Sequence, residues 1–414
     1  MGKIGGDGMK RSKIKTIIFL TIVMLFCLST AIIGGACGKD IYVGVQFLVD
    51  DDVYYFVQTG GNEVIEAPKT PPTKEGHKFE GWYFEPTFLR EYEEDWSINK
   101  LKTIVKIYAK WSCNEDPFIV ENNTIVGLTE CAKKYKEHIE IPSEINGNSI
   151  TQIADSAFRG CVVLKSVVIA DGIEKIGADA FAWCKNLKSV QIAESVKEIG
   201  GCAFKYCTDL ESINLPSEIT EIKKETFSHC ESLKEITIPN KVEEIGEEAF
   251  ACCQSLTDIS IPDSVEKIEN KAFYLCAEAE KISLGKNLLE IGKSAFFGCY
   301  NINNELVLPD KLEKIGAFAL VDIVKNERLI LPTTLTEIGE YAFSFNDLKE
   351  IVIPKSVSFI GEAAFFQCVN LNILCEATEK GQKWDENWNF KYMNYNGTYI
   401  REKFPVSWGY VEEK

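Results

Sequence analysis

Ile176-Gly177-Ala178-Asp179-Ala180-Phe181-Ala182-Trp183-Cys184 is followed by Ser189-Val190-Gln191-Ile192, and the pattern restarts at Ile199-Gly200. The isoleucine recurs at Ile153, Ile176, Ile199, Ile222, Ile245, Ile268, Ile291, Ile315, Ile338 and Ile360. Six successive spacings are 23 residues, and the last three are 24, 23 and 22. A phenylalanine follows five residues later in every unit except one, where Leu320 replaces it. Between anchors runs an alternating segment that often ends in proline, as in Ile236-Thr237-Ile238-Pro239. A unit of this length holds one short strand and one or two turns. It cannot bury its own apolar face, so its neighbours must stack on it. The period therefore predicts a mainly β solenoid of about ten coils, each 22–24 residues long. Coils advancing by the strand spacing would give a stack on the order of 50 Å long. Proline ends each strand because it donates no ladder hydrogen bond. The glycine after the isoleucine is expected at a tight bend.

These units closely resemble the BspA-like leucine-rich repeat of the Treponema type, over about 260 residues. The resemblance continues past both ends. Phe118-Ile119-Val120, Ile139-Glu140-Ile141-Pro142 and Asn146-Gly147 resemble that family's opening cap. Cys375-Glu376-Ala377, Trp384, Trp388 and Pro405-Val406-Ser407-Trp408-Gly409-Tyr410 resemble its closing cap. End coils must be shielded from water, so caps are physically required. The resulting division is an N-terminal cap over 113–150, repeats over 151–372 and a C-terminal cap over 373–414. The resemblance implies adhesion to host matrix proteins or to other cells.

The chain has 15 cysteines among 414 residues. Eight of them, Cys161, Cys184, Cys207, Cys230, Cys253, Cys276, Cys299 and Cys368, share one repeat position three residues after the ladder phenylalanine. A buried free cysteine packs as a small hydrophobe, and its thiol can weakly satisfy a carbonyl. Side chains stacked in one direction are poorly placed for disulfides. Zinc is disfavoured because no two ladder cysteines have a short CxxC-type spacing. Besides Cys27 and Cys37 near the N-terminus, Cys113, Cys131, Cys202, Cys252 and Cys375 remain, and five cannot all pair with one another. A Cys113–Cys131 bridge across the N-terminal cap is one pairing they allow. At coils eight to ten, Leu320, Ile323 and Asn346 break the ladder. A buried Asn346 would need backbone partners.

At the other end, Lys10, Arg11, Lys13 and Lys15 precede an apolar run from Thr16 to Ile33, then small residues. This reads as an export signal over 1–36, rather than as a single membrane-spanning anchor. Gly34-Gly35-Ala36-Cys37 resembles a bacterial lipobox, although the family usually has leucine at position 34. The resemblance implies lipidation at Cys37 and a chain held on the outer face of the bacterial envelope. The protein would be secreted or held by one helix if Cys37 is not modified. Loss of residues 1–36 removes five bases and one acid, taking the formal charge from −17 to −21. Such a polyanion is unsuited to electrostatic nucleic-acid binding and to direct binding of anionic head groups. Membrane contact is expected only through the lipid.

After a linker at 37–44 comes a segment of alternating residues, 45–112, with Pro68, Pro71 and Pro72 in its loops. Gly76-His77-Lys78-Phe79-Glu80-Gly81-Trp82-Tyr83 and Ile107-Tyr108-Ala109-Lys110-Trp111 resemble the InlB B-repeat, or Listeria–Bacteroides repeat. That implies a small β-grasp-like domain, with an aromatic core expected from Phe79, Trp82, Tyr83, Tyr108 and Trp111. Asp50-Asp51-Asp52 is read as a solvated loop rather than a calcium site, because adjacent acids in a turn point apart.

Successive strands of the array should expose an outward column of Val168, Gln191, Asn214, Thr237, Ser260, Ser283, Val307, Ile330 and Val352. Its last three members would form an apolar strip rimmed by Glu305, Arg328 and Glu350, a candidate contact surface. No nucleophile elbow, phosphate loop, metal motif or recognisable carboxylate pair is present in the sequence. Three histidines make an imidazole-rich site improbable. The sequence therefore predicts no enzyme, no catalytic or metal residues and no cofactor. It predicts a surface protein that binds a protein or glycan macromolecule on a host or bacterial surface through its exposed sheet. The alternative is a structural or spacer component of the envelope with no specific ligand.

Overall fold

The computed structural model describes residues 43–59, 65–84, 104–113, 116–395 and 398–411. The expected export signal, Cys37 and linker residues 37–42 lie outside the described residues. Two compact units are present, one formed mainly by the chain before residue 111 and the other mainly by the chain after it.

The first unit is built on a four-stranded sheet. Strands β1 (Val43–Val49), β2 (Asp52–Thr59), β3 (His77–Tyr83) and β4 (Val105–Cys113) lie in the order β2-β1-β4-β3. β1 pairs antiparallel with β2 and parallel with β4. Asp50 and Asp51 take positive φ values of 48° and 69° and turn the hairpin between β1 and β2. The expected aromatic core is corrected in part. Trp82 and Trp111 are buried, whereas Phe79, Tyr83 and Tyr108 are half-buried. Phe47 takes the central place, with Trp82 edge-on to it at 5.0 Å.

In the second unit most coils carry two short parallel strands rather than the single strand expected. One ends at the anchor isoleucine, so Lys175-Ile176 pairs with Glu198-Ile199. The other is the alternating segment, so Ser189–Ile192 pairs with Ser166–Ile169. Between them the chain makes a zigzag turn with two residues in the left-handed region, Asp179 (φ 55°) and Trp183 (φ 66°) in one coil. Left-handed backbone costs an L-residue roughly 1–2 kcal/mol. Here it turns alternate N–H groups toward the next coil. Asp179, Phe181 and Trp183 donate to the carbonyls of Gly201, Ala203 and Lys205 at 2.7–3.0 Å. These intercoil bonds offset the strain.

The glycine after the isoleucine has a different role from the one expected. Gly177 and Gly200 do not have positive φ. A Cβ on either would lie 2.4 Å from a backbone nitrogen of the preceding coil. The position is therefore one of close approach rather than of a bend.

Inside the stack, phenylalanines from Phe158 to Phe296 lie face to face at 4.9–5.7 Å between neighbours. Every column cysteine is buried and free. Seven of them donate their thiols to a phenylalanine carbonyl of the preceding coil at 3.0–3.3 Å, beginning with Cys184 to Phe158 and ending with Cys368 to Phe343. Asn346 occupies the same position and makes the same bond, donating Nδ2 to the Leu320 carbonyl at 2.9 Å. Its Oδ1 also accepts from the Val324 N–H. The backbone partners expected for a buried asparagine are thus present.

Both ends of the stack are closed. A hairpin of Phe118–Glu121 and Thr124–Leu128 covers the first coil, followed by helix α1 (Glu130–Tyr135), whose N-cap is Thr129. A Cys113–Cys131 disulfide with a Cα–Cα distance of 5.8 Å fastens α1 to the chain entering the cap. At the far end Trp384 pairs with Ile360 to end the anchor sheet, and Val406–Trp408 pairs beyond Asn372–Cys375.

Candidate functional site: the outward sheet

The alternating strands place one side chain inward and the next outward. Val167 and Ile169 are buried while Val168 is exposed, and Val190 and Ile192 are buried while Gln191 is exposed. Strand register confirms the outward column where pairing occurs, with Val168 opposite Gln191, Ser260 opposite Ser283 and Ile330 opposite Val352.

The structure does not assemble the C-terminal apolar strip as expected. Val307 is 77% exposed and Ile330 is 50% exposed, but Val352 is only 1% exposed. The closing cap explains the difference. The Tyr410 N–H donates to the Cys375 carbonyl at 2.9 Å, while its hydroxyl meets Arg328 Nη2 at 3.0 Å. These anchors lie on the strands flanking Glu350–Ile353, which carries Val352. Arg328 is also held by Glu350, with Nε 2.5 Å from the carboxylate. Two of the three rim charges are thus committed to each other, leaving Glu305 exposed beside Val307. An apolar patch of two residues remains.

The larger opening lies at the polar end of the column. A groove of about 1160 Å³ runs over coils one to four, where Val168, Gln191, Asn214 and Thr237 face outward. Its position follows from a split in the sheet. Main-chain pairing ends at Ser212-Ile213, and residues 235–238 form no strand. At the split, Asn214 replaces the missing rung with its side chain. Oδ1 accepts from the Ile192 N–H at 2.9 Å, and Nδ2 donates to the Ile192 carbonyl at 2.7 Å. Asn304 clasps Ile282 in the same way, and Asn326 clasps Leu306, beside the second interruption of the sheet. Sequence reasoning missed the groove. Its signal is an asparagine in a strand position, which β-propensity disfavours.

The floor of the groove is neutral and hydrogen-bonding, and its edge is charged. Lys241 donates to both carboxylate oxygens of Glu218 at 2.6–2.7 Å. Glu194 accepts two bonds from Ser217, from its N–H and its hydroxyl, each at 2.8 Å. The Ser217 N–H and hydroxyl hold the Glu194 carboxyl below its ordinary range, so it stays ionised. Such a surface can recognise polar groups of a large ligand. Among the described residues, no group of three His, Cys, Asp or Glu side chains is placed to hold a metal ion. No helix among them is long and apolar enough to cross a membrane.

The BspA type leucine rich repeat region matches residues 151–278 and 266–375, which is more than half of the chain. A leucine-rich repeat protein of Bacteroides ovatus is 27% identical, with 62% of this chain and 68% of that chain aligned and a TM-score of 0.45. A leucine rich cell surface protein of Faecalibacterium prausnitzii is 26% identical over 62% of this chain and 86% of that one, with a TM-score of 0.44. A protein of Evansella cellulosilytica, named as a membrane protein, is 31% identical over 106 residues. That match spans 23% of this chain and only 16% of the relative's length. Membership follows from the repeat match rather than from these superpositions: the chain belongs to the BspA-type leucine-rich repeat family.

Proposed function

We propose that this protein is a non-enzymatic binding protein of the bacterial cell surface. It engages a protein or glycan macromolecule through the outward sheet of coils one to four. The groove over Val168, Gln191, Asn214 and Thr237 carries this reading, because it is an opening of about 1160 Å³ on the face the repeats display. A repeat surface of this kind suits a long ligand better than a small substrate. In this reading the export signal and a lipid on Cys37 hold the chain on the outer face of the envelope, and the 45–112 unit serves as an InlB-type surface module.

The test is capture from host matrix, mucus and bacterial-surface extracts by residues 38–414, comparing wild type with Gln191→Trp and Thr237→Trp. Both side chains are exposed, so the substitutions fill the groove without entering the core. Saturable capture lost in both variants supports the reading. Equal capture by all three, or none by any, overturns it.

A further inference from the structure

A second column of side chains runs along the zigzag turns, two residues after the ladder phenylalanine. Trp183, Tyr206 and His229 occupy it in coils two to four. Trp183 stacks on Tyr206 at 4.0 Å with 18° between planes, and Tyr206 stacks on His229 at 4.3 Å with 9°. All three backbones are left-handed, with φ of 66°, 60° and 62°. In coil one the same position is Gly160 (φ 72°), joined to the next coil by its N–H to the Ala182 carbonyl at 2.8 Å. A Cβ built on Gly160 would have no atom within 4 Å. The column therefore ends with one indole face opposite an empty ring position, and Trp183 is 36% exposed.

Two further observations lie beside it. Gly160 lies in the wall of a cavity of about 450 Å³, with Ile119, Val162, Lys133 and Arg159 among its other walls. Trp183, Lys185 and the groove's residues do not line it. The Lys185 ammonium lies over the Trp183 ring at 5.4 Å. Tyr206 covers one face of that ring, so Lys185 lies over the other. Among the described residues Lys185 makes no ion pair. Lys133 pairs with Glu130, and Arg159 pairs with Asp179. Of these three cations Lys185 is the one without an acidic partner among the described residues.

We propose that this slot binds one ring of an acidic saccharide. The apolar C–H face of a pyranose would take the missing place in the column, stacked on Trp183. Its carboxylate would pair with Lys185, whose flexible stem moves aside. A hexuronate or a sialate supplies the same chemistry.

The test is calorimetric titration of the full chain with a hyaluronan oligosaccharide, with sialyllactose and with a neutral chitin oligosaccharide. At least one acidic probe is expected to bind, and whichever binds identifies the source of the acid. Gly160→Tyr should weaken binding at least about tenfold by filling the ring position. The three aromatic neighbours show that this backbone accepts a side chain. Trp183→Leu should weaken it similarly and serves as the second variant should Gly160→Tyr lose its thermal transition. Lys185→Ala should remove the preference for acidic over neutral probes. Absence of binding by both acidic probes, equal binding by the neutral probe, or binding unchanged in the folded variants would overturn the proposal.

Discussion

The buried thiol column makes the protein sensitive to alkali in a calculable way. Cys184, Cys207, Cys230, Cys253 and Cys276 are all fully buried. Loss of hydration pushes each thiol well above its ordinary range, because the charged thiolate is penalised. A raised folded-state pKa contributes stability that is fully present below the unfolded value, about 8.5. That stability is lost as pH rises from there toward the folded value. At pH 9.5 each thiol favours the unfolded chain about tenfold. Five thiols acting together come to roughly 7 kcal/mol, comparable with the whole stability of a typical domain, about 5–15 kcal/mol.

Urea unfolding followed by tryptophan fluorescence at pH 8.0 and 9.5 measures this loss. Lysines and tyrosines also titrate, so the decisive comparison is with a variant carrying Cys207→Ala, Cys230→Ala and Cys253→Ala. The variant should be less stable at pH 8.0, because the smaller side chains leave space in the core. It should nevertheless lose roughly 4 kcal/mol less than wild type on going to pH 9.5, three thiols' share. In parallel, a thiol-exchange reagent at pH 8.0 should leave the column unlabelled until urea is added. Equal losses in the two proteins, or labelling of the column in the folded state, would refute the account.

Three further outcomes follow from other parts of the structure. Asn346→Ala strands the Leu320 carbonyl and the Val324 N–H, and should cost about 2–4 kcal/mol in urea unfolding; Asn346→Cys should recover part of this by restoring the thiol bond. Reduction of Cys113–Cys131 should remove roughly 3 kcal/mol of chain-closure stabilisation, with hydrogen exchange rising in residues 116–135 before the central coils. Removal of residues 409–414 should uncover Val352 beside Ile330 and Val307, so concentration-dependent association in sedimentation should appear in the truncated chain and not in wild type.

Period and side-chain type make the coils legible in the sequence, because each coil repeats one set of contacts. A phenylalanine every 23 residues has to stack on the next, and a cysteine three residues later has to share its depth. The irregular positions follow the same logic. Asn346 is legible as a residue needing backbone partners because its register is fixed by its neighbours. What the period cannot show is any feature set by a single residue or by a non-repeating segment. Tyr410 belongs to no coil, yet it bridges the strands on either side of the buried Val352. Asn214 occupies an outward position like any other until its amide is seen taking the place of a ladder rung. The glycine after the isoleucine illustrates the limit from the other side. Its recurrence was visible, but whether it serves a bend or a close approach depends on the neighbouring coil's backbone.

These exceptions are also where the proposed binding chemistry concentrates. A perfectly regular array presents identical columns, and identical columns distinguish ligands poorly. Recognition requires that translational symmetry be broken at particular coils. In this chain it is broken by Asn214, which opens the sheet, by Gly160, which ends the aromatic column, and by the closing segment, which seals the apolar end. One break leaves the polar groove open, and another leaves Val352 of the apolar strip covered. Specificity should therefore respond to substitutions at the irregular positions and tolerate substitutions at regular outward ones such as Ser260 and Ser283.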